Sequence, residues 1–578
     1  MRITDVTIEN YRSFHKSSIV SIPDIDQPIS VIGHNNSGKS NLLKAILYVT
    51  GVRSSYPTAF NEYDFFGKDM QNDISIKATI TPPLLSTNAY NKITEMPQLE
   101  LSILDHGGGV EVNHNCCDAE GKRVYNVRSL KRSKSTVYSQ EEKDTLTSYQ
   151  RSGAEQVHKW KSKIPVYYLG PDTIEKELRG GRYSLLGKLI DTFKQEFKSK
   201  DSTVKDNEGV REAHVGRPRA EIYSQAISYL EKHVLPTEGF EEFISTVKDL
   251  LMRQLEINSD HFELLLSPPD ADYFYDQLEF HVKENDAAPS LPILRNGTGF
   301  VSLFVTALMR ALVESDSGGR IFVIEEPESF LHENYQEYFY DILCELAKNN
   351  QVILSTHSKR FVDVFTPRSI LRVERDEQVG SRVIACNLNK LEQPEEIDGL
   401  NLSNPDDYPK YLRTLEPNLG NIAFSKRVIV VEGPHDVLAY QTVLEKCVNL
   451  KLKNISIVAA WGKDPIQSIV QFCNEFSVPV FVIHDLDLES NQTVEAELTP
   501  TQKAQNTKNN ILLSIVRNDL IHRNIPNLES VLGIERKRKG PVSVMEKLSG
   551  KTVDQVKHAY PGLLSEKLFE FIGFIEKV

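Results

Sequence analysis

Gly33-His34-Asn35-Asn36-Ser37-Gly38-Lys39-Ser40 lies between an apolar run, Pro28–Ile32, and a stretch of helical spacing, LLKAILYV, that begins after Asn41. The octet fits G-x-x-x-x-G-K-[ST] in the context that pattern requires, a strand before it and a helix after it. Glycines let backbone N–H groups wrap a chain of phosphates, and the helix N-terminus adds positive potential. Lys39 then reaches the β- and γ-phosphates, and the Ser40 hydroxyl ligates Mg²⁺. Gly33, Asn35, Asn36, Ser37, Gly38, Lys39 and Ser40 are the expected ATP contacts.

A phosphate loop needs a metal-holding acid at the end of a second strand. The run Arg320–Ile324 ends in Glu325-Glu326-Pro327-Glu328. Glu325 is expected to hold Mg²⁺ and Glu326 to polarise the attacking water, since two adjacent carboxylates there would repel without a cation. An amphipathic helix, Tyr335–Ala347, and a buried strand, Gln351–Ser355, follow, and His357 comes next as a candidate γ-phosphate contact. Upstream, Arg295-Asn296-Gly297-Thr298-Gly299-Phe300 feeds a helix, VSLFVTALMRAL, and forms a second Gly-rich phosphate grip. With one loop already on the ATP, Asn296, Gly297, Thr298 and Gly299 would serve the nucleotide of a facing subunit. Alternating strands and helices imply a parallel sheet with helices on its faces.

The chain has 578 residues, 40% hydrophobic and 25% charged, which predicts several packed domains and excludes disorder, collagen-like repeats and a disulfide miniprotein. No apolar run approaches a membrane span, and the N-terminus MRITDVTIENYRSF alternates like a strand rather than a leader peptide. A cytoplasmic protein is expected. Cysteines 116, 117, 344, 386, 447 and 473 contain no CxxC pair, which speaks against a zinc ribbon. The net charge of −13 is uneven: 19 basic and 18 acidic side chains from Lys426 onward, against 48 and 62 before it. Nucleic-acid binding depends on local basic patches, so this balance weakens that reading without excluding it.

Between about 85 and 290 the texture changes. Residues 121–135 are basic (GKRVYNVRSLKRSKS) and 184–260 look helical, so the segment reads as an insertion, its part at about 180–265 a place for a dimer contact. Residues 390–420 are rich in Pro, Asp and Asn and mark a boundary. From Arg427 strand–helix alternation resumes. The expected domains are 1–390, a linker at 391–425, and 426–578.

The N-terminal Ile8-Glu9-Asn10-Tyr11-Arg12-Ser13-Phe14, the phosphate loop, the Glu-Glu-Pro-Glu-x-x-Leu-His run at 325–332 and Ser355-Thr356-His357-Ser358 resemble the SMC/RecF-like ABC ATPases. The resemblance implies a head that pairs with a second copy around two ATPs, with Arg12 near the nucleotide. The family's signature loop is usually LSGGQ. Here it would be RNGTG, with Thr298 in place of the serine. Long coiled-coil heptads are missing, so the resemblance is to a short-armed or armless relative.

In the last third, Glu432-Gly433-Pro434-His435-Asp436 follows the strand RVIVV, and VPVFVI ends in His484-Asp485-Leu486-Asp487. Residues two apart at a strand end share a side, so Asp485 and Asp487 are expected to converge, with Glu432 on a neighbouring strand. Oxygen acids without a His or Cys set select hard cations, Mg²⁺ or Mn²⁺, and two such ions can cleave a phosphodiester. This Glu-Gly and Asp-x-Asp pair resembles the Toprim signature of topoisomerases, primases and some nucleases. The resemblance adds Asp436 as a second-metal ligand and Glu529 as a further carboxylate. Lys463 and the run Glu535-Arg536-Lys537-Arg538-Lys539-Gly540, Lys539 foremost, are candidates for scissile-phosphate contact.

An armless ABC-type P-loop ATPase with a largely helical insertion, followed by a Toprim α/β domain, resembles the OLD (overcoming lysogenization defect) family. The resemblance implies an ATP-dependent, metal-dependent DNA endonuclease that forms homodimers or larger homo-oligomers and acts against phage. Members occur alone, beside a helicase in Gabija defence systems, or with a retron reverse transcriptase. The alternative is a RecF-like DNA-binding clamp with an inactive Toprim domain. The cysteine spacing weighs against a primase, and no room is left for a topoisomerase's tyrosine-bearing domain.

Overall fold

The computed structural model describes residues 1–16, 18–53, 59–87, 93–105, 110–130, 163–171, 238–255, 262–266, 278–283, 290–293, 298–315, 318–364, 366–376, 379–386, 396–397, 400–401, 420–488, 498–535 and 540–573. Two compact units emerge. One comprises Met1–Val31, Gly38–Phe361 and Arg375–Arg382; the other comprises Ile32–Ser37, Val362–Glu374 and Val383–Val578.

Strands β1 (Arg2–Glu9) and β2 (Ser18–Ser21) open the chain and β3 (Ile29–Gly33) carries it to the phosphate loop. β4 (Ile74–Thr87), β5 (Ile93–Asp105), β6 (Val110–Cys117) and β7 (Arg123–Leu130) extend β1 and β2 into an antiparallel sheet of order β2-β1-β4-β5-β6-β7. β8 (Val166–Leu169) then joins a different sheet. After the helix Glu238–Leu255, strands β9 (Phe262–Leu266), β10 (Leu278–Val282) and β11 (Leu291–Pro292) make a small antiparallel sheet. β12 (Ile321–Glu325), β13 (Gln351–Ser355), β14 (Ile370–Asp376) and β15 (Gly380–Ala385) complete the central sheet, in the order β15-β14-β3-β13-β12-β8.

The four strands β3, β13, β12 and β8 run parallel, with Ile321–Glu325 in register with Gln351–Ser355 and Ile324 opposite Leu169. β3, β12 and β13 are buried along their whole length, as their unbroken apolar runs require of strands covered on both faces. The helix Glu333–Ala347 turns Phe339, Ile342, Leu343 and Leu346 inward, into a core shared with Phe304 and Leu308.

The segment at about 85–290, expected as a largely helical insertion, lies mostly outside the described residues. Its described residues hold β5, β6, β7, β9 and β10, and β8 is a strand of the central sheet itself. Apart from the helix Glu238–Leu255, residues 180–265 fall largely outside the described residues, as does most of 391–425, where only the ribbon β16 (Glu396–Ile397) and β17 (Leu400–Asn401) and residues 420–425 are seen.

In the C-terminal unit β18 (Arg427–Val431), β19 (Ile455–Ala459), β20 (Val480–Asp485) and β21 (Ile521–Asn524) form a parallel sheet of order β19-β18-β20-β21. The helix Pro434–Cys447 packs Tyr440, Val443 and Leu444 on one of its faces, and the helix Asp464–Glu475 packs Ile469, Phe472 and Cys473 on the other. This doubly covered parallel sheet sets the ends of β18, β19 and β20 along one edge. Among the described residues no helix is long and apolar enough to cross a membrane.

Candidate functional site

The helix Lys39–Val49 starts without help. Its N-cap is Gly38, no side chain caps it, and its first turn holds no acid. By contrast, the helices starting at Pro500, Val553 and Glu566 are capped by Thr499, Thr552 and Ser565. A helix start that no side chain caps suits an anion. Gly33 (φ +151°) and Gly38 (φ +112°) have backbones that side-chain-bearing residues rarely adopt. A Cβ on Gly33 would overlap the Val373 carbonyl, and one on Gly38 would stand 2.5 Å from Ser381 Oγ and 2.6 Å from Ser13 Oγ. Asn35 and Asn36 are exposed, Ser37 and Lys39 buried, and Ser40 half-buried. Burial lowers the Lys39 ammonium to a pKa of about 8, with Glu326 and Glu328 pulling the other way.

Glu325, at the end of β12, is buried and accepts a 2.7 Å hydrogen bond from the Tyr168 hydroxyl on β8. Arg53 donates to that hydroxyl from 3.4 Å. Glu326 turns out of the strand in a left-handed conformation (φ 45°), and its carboxylate lies 3.9 Å from His357 Nε2. Glu328 links the two loops: its carboxylate accepts from the Thr356 hydroxyl (2.9 Å) and from the His357 backbone N–H. Burial raises its pKa. Burial, then Lys39, lowers the pKa of His357, leaving a neutral imidazole beside the lysine. Lys39, Glu325, Glu326 and His357 thus gather round the end of β12.

Arg12 is held by Asp64. Its Nε and Nη2 both lie 2.8 Å from Asp64 Oδ1, and its guanidinium lies over the Tyr11 ring. Ser13, not Arg12, stands against Gly38, and its hydroxyl accepts from Asn41 at 2.8 Å. Thr298 and Gly299 begin the helix Thr298–Ser315, while Arg295, Asn296 and Gly297 lie outside the described residues.

Tyr168 was not legible as a site residue because nothing in VYYL marks which tyrosine meets an acid 157 residues away. Its hydrogen bond orients the Glu325 carboxylate, and an outer partner of a carboxylate that holds a metal is worth about ten-fold or more in affinity or rate. Tyr168→Phe keeps the ring and removes the donor. It is expected to lower ATP hydrolysis about ten-fold and raise the Mg²⁺ concentration needed for half-maximal rate. A titration with the wild-type Mg²⁺ midpoint would contradict this.

At the edge of the C-terminal sheet, Glu432 follows β18 and Asp485 ends β20. Their strands are paired in register up to Val431 and Ile483, so the carboxylates arrive side by side, and the Asp485 N–H donates to Glu432 Oε2 at 3.1 Å. Asp485 Oδ1 accepts from Asn524 Nδ2 (3.1 Å) and the Leu528 N–H (3.0 Å), and Tyr440 in turn donates to Asn524 Oδ1 at 2.9 Å. Asn524, opposite Asp485 in the β20–β21 register, is a positioning residue that the sequence reading missed.

Asp487 departs from the expected strand alternation. β20 stops at Asp485, and Asp487 sits in a left-handed turn (φ 57°) whose N–H donates to the Pro526 carbonyl. The turn, not the pleat, aims its carboxylate. Lys463 Nζ lies 2.6 Å from Asp487 Oδ2 and 3.3 Å from Gln505 Oε1, so this lysine, expected on a phosphate, is tied to a carboxylate.

Asp436 Oδ2 accepts the Gly433 N–H at 3.0 Å, closing the helix start, while Oδ1 is buried with no hydrogen-bond partner. Glu529 bears electrostatically on both Asp436 and Asp485. Lys537, Arg538 and Lys539 lie outside the described residues. Burial raises Glu432 to about 7, Asp436 to about 8 and Asp485 to about 6; Asp485 lifts Asp436 further, and Asp487 does the same to Asp485.

Among the described residues no three His, Cys, Asp or Glu side chains are already drawn into a closed ligand set. The orphaned Asp436 oxygen and the crowded all-oxygen donors nevertheless fit a hard divalent cation. The sign of the pH dependence follows. Carboxylates raised in the folded state hold protons that the unfolded chain has lost, so stability falls as pH rises from about 4 to about 8. A cation that replaces those protons should raise the melting temperature more at about pH 8.5 than at about pH 5.5. Equal Mg²⁺-induced shifts at both would count against a metal at these carboxylates.

Residues 1–362 match the family described as AAA ATPase domain, and residues 424–487 match the TOPRIM domain of overcoming lysogenization defect protein-like chains. An OLD nuclease of Thermus scotoductus is 25% identical over 563 residues, covering 92% of this chain and 93% of its own. The Old nuclease of Escherichia phage P2 is 23% identical, covering 85% and 78%. The endonuclease GajA of Bacillus cereus is 20% identical, covering 85% and 76%.

Proposed function

The chain belongs to the OLD-family nucleases, an AAA ATPase domain joined to a TOPRIM domain, and from that premise we propose an ATP-dependent, divalent-metal-dependent DNA endonuclease that acts in defence against phage. The observation that carries the cleavage half is the meeting of Glu432, Asp436 and Asp485 at one sheet edge, with a buried Asp436 oxygen lacking a partner. Glu432, Asp436, Asp485, Asp487 and Glu529 are the ligands proposed for Mg²⁺ or Mn²⁺, two ions in all. Such ions supply an activated water and stabilise the leaving oxygen. The protein's own part is to hold the carboxylates in place: Asn524 and the Leu528 N–H fix Asp485, and Lys463 neutralises Asp487. Lys539 contacts the scissile phosphate.

At the ATP site the loop Gly33–Ser40 wraps the phosphates, Lys39 spans the β- and γ-phosphates, and Ser40 and Glu325 hold Mg²⁺. Glu326 orients the attacking water and His357 faces the γ-phosphate. Asn296, Gly297, Thr298 and Gly299 reach the ATP of a second copy, so hydrolysis is coupled to homodimer formation, with about 180–265 as the dimer contact. Arg12, held by Asp64, lies near the nucleotide. The working division is an ATPase domain at 1–390, a linker at 391–425 and a nuclease domain at 426–578. The partner proposed is one encoded in the same defence operon, a helicase or a retron reverse transcriptase with its RNA and DNA.

The test is cleavage of supercoiled plasmid and linear DNA with Mg²⁺ or Mn²⁺, with and without ATP. Metal-dependent products, lost on chelation, support the reading. DNA-stimulated ATP hydrolysis without cutting would favour a RecF-like clamp.

A further inference from the structure

Trp461 is one of two tryptophans in the chain, and its side chain is 63% exposed. A large apolar ring left in water forgoes more burial than almost any other side chain would. Its backbone adds a second cost: φ is +62°, an outlier for a bulky residue. Strain and exposure coinciding in one residue point to use, and the location specifies the use.

Trp461 follows β19 at the edge where the carboxylates meet. On one side of it the Ala460 N–H donates to the Val431 carbonyl (2.8 Å), and on the other the Gly462 N–H donates to the Glu432 carbonyl (2.9 Å). The next residue is Lys463, whose ammonium lies 2.6 Å from Asp487. The indole therefore leaves the chain between Ala460, bonded to the backbone of Val431, and Gly462, which is bonded to the backbone of Glu432 and precedes the lysine that reaches the side chain of Asp487. Among the described residues no ring stacks on it and no cation lies over it.

We propose that Trp461 is a base-stacking residue of the nuclease site, taking an unstacked nucleobase of the DNA strand whose phosphodiester lies at Glu432, Asp485 and Asp487. The inference rests on the nuclease reading and adds to it the form of the substrate. Bases inside a duplex already stack on each other, so an indole fixed beside the scissile position takes a base from a single-stranded or locally opened strand. Every base has a π-face, so the contact favours strand form over sequence.

The probe is an unstructured single-stranded DNA oligonucleotide of about twenty nucleotides. It is added to full-length protein carrying Asp485→Ala, to prevent cutting, and Trp160→Phe, to leave one indole. Fluorescence of Trp461 is expected to be quenched at saturation. Adding Trp461→Ala should weaken binding roughly five- to hundred-fold, with Trp461→Phe retaining most of the affinity. In cleavage-competent protein, Trp461→Ala should raise KM for single-stranded DNA more than it lowers kcat. Undiminished emission at saturating oligonucleotide overturns the inference, as does wild-type affinity and KM in Trp461→Ala. Should the alanine variant not fold, quenching and the phenylalanine variant still decide. Failure of the nuclease reading looks different: wild-type protein would then cut neither strand form under any metal condition.

Discussion

Asp485→Ala is expected to lower metal-dependent DNA cleavage by far more than about a hundred-fold, the upper cost of losing merely an outer partner of a metal ligand. Asp485 is where the site's restraints converge. Its N–H is bonded to Glu432, and its carboxylate is held by Asn524 and Leu528. Removing it deletes a proposed ligand, frees the Asn524 amide and relieves the repulsion that helps lift Glu432 and Asp436. The apoprotein should therefore be no less stable at about pH 8, since a destabilising charge is gone. ATP turnover should remain near the wild-type rate because Lys39, Glu325, Glu326 and His357 belong to the other unit. Loss of both activities in a folded variant would refute the assignment of two separate sites.

Lys39→Ala is expected to abolish the other activity. The ammonium is buried and its pKa falls to about 8. A buried cation beside Glu326 and Glu328 is held ready for a polyanion. Removing one preorganised charge of this kind costs about a hundred- to a thousand-fold in rate. Without nucleotide, Lys39 loses its proton above about pH 8, so ATP binding there should take up a proton and apparent affinity should weaken as pH rises further. In Lys39→Ala that dependence disappears, and cleavage no longer responds to ATP in either direction. ATP binding unchanged from wild type would refute the phosphate-loop assignment.

Local sequence revealed what local physics decides. The apolar run before Gly33, the glycines of the loop and the acids closing β12 have their meaning within a few residues, and β3 and the helix Lys39–Val49 form where the pattern placed them. In the C-terminal unit the strand–helix alternation placed Glu432 and Asp485 at neighbouring strand ends for the same reason. Pairing over long separations was not legible. β8 is four residues long, and only its register with β12 makes it part of the central sheet and brings Tyr168 to Glu325. Asn524 and Lys463 likewise act on acids far along the chain. Asp487 was reached for the wrong reason, because a left-handed turn, invisible in an Asp-x-Asp pattern, replaces the pleat. Trp461 carried no motif at all; exposure and a strained backbone appear only in three dimensions.

The most direct test of two coupled but separate sites is to assay wild type and Asp485→Ala side by side, each for plasmid cleavage with Mg²⁺ or Mn²⁺ and for ATP hydrolysis. The account predicts cleavage by the wild type alone and ATP hydrolysis by both. Cleavage by Asp485→Ala at the wild-type rate would contradict it.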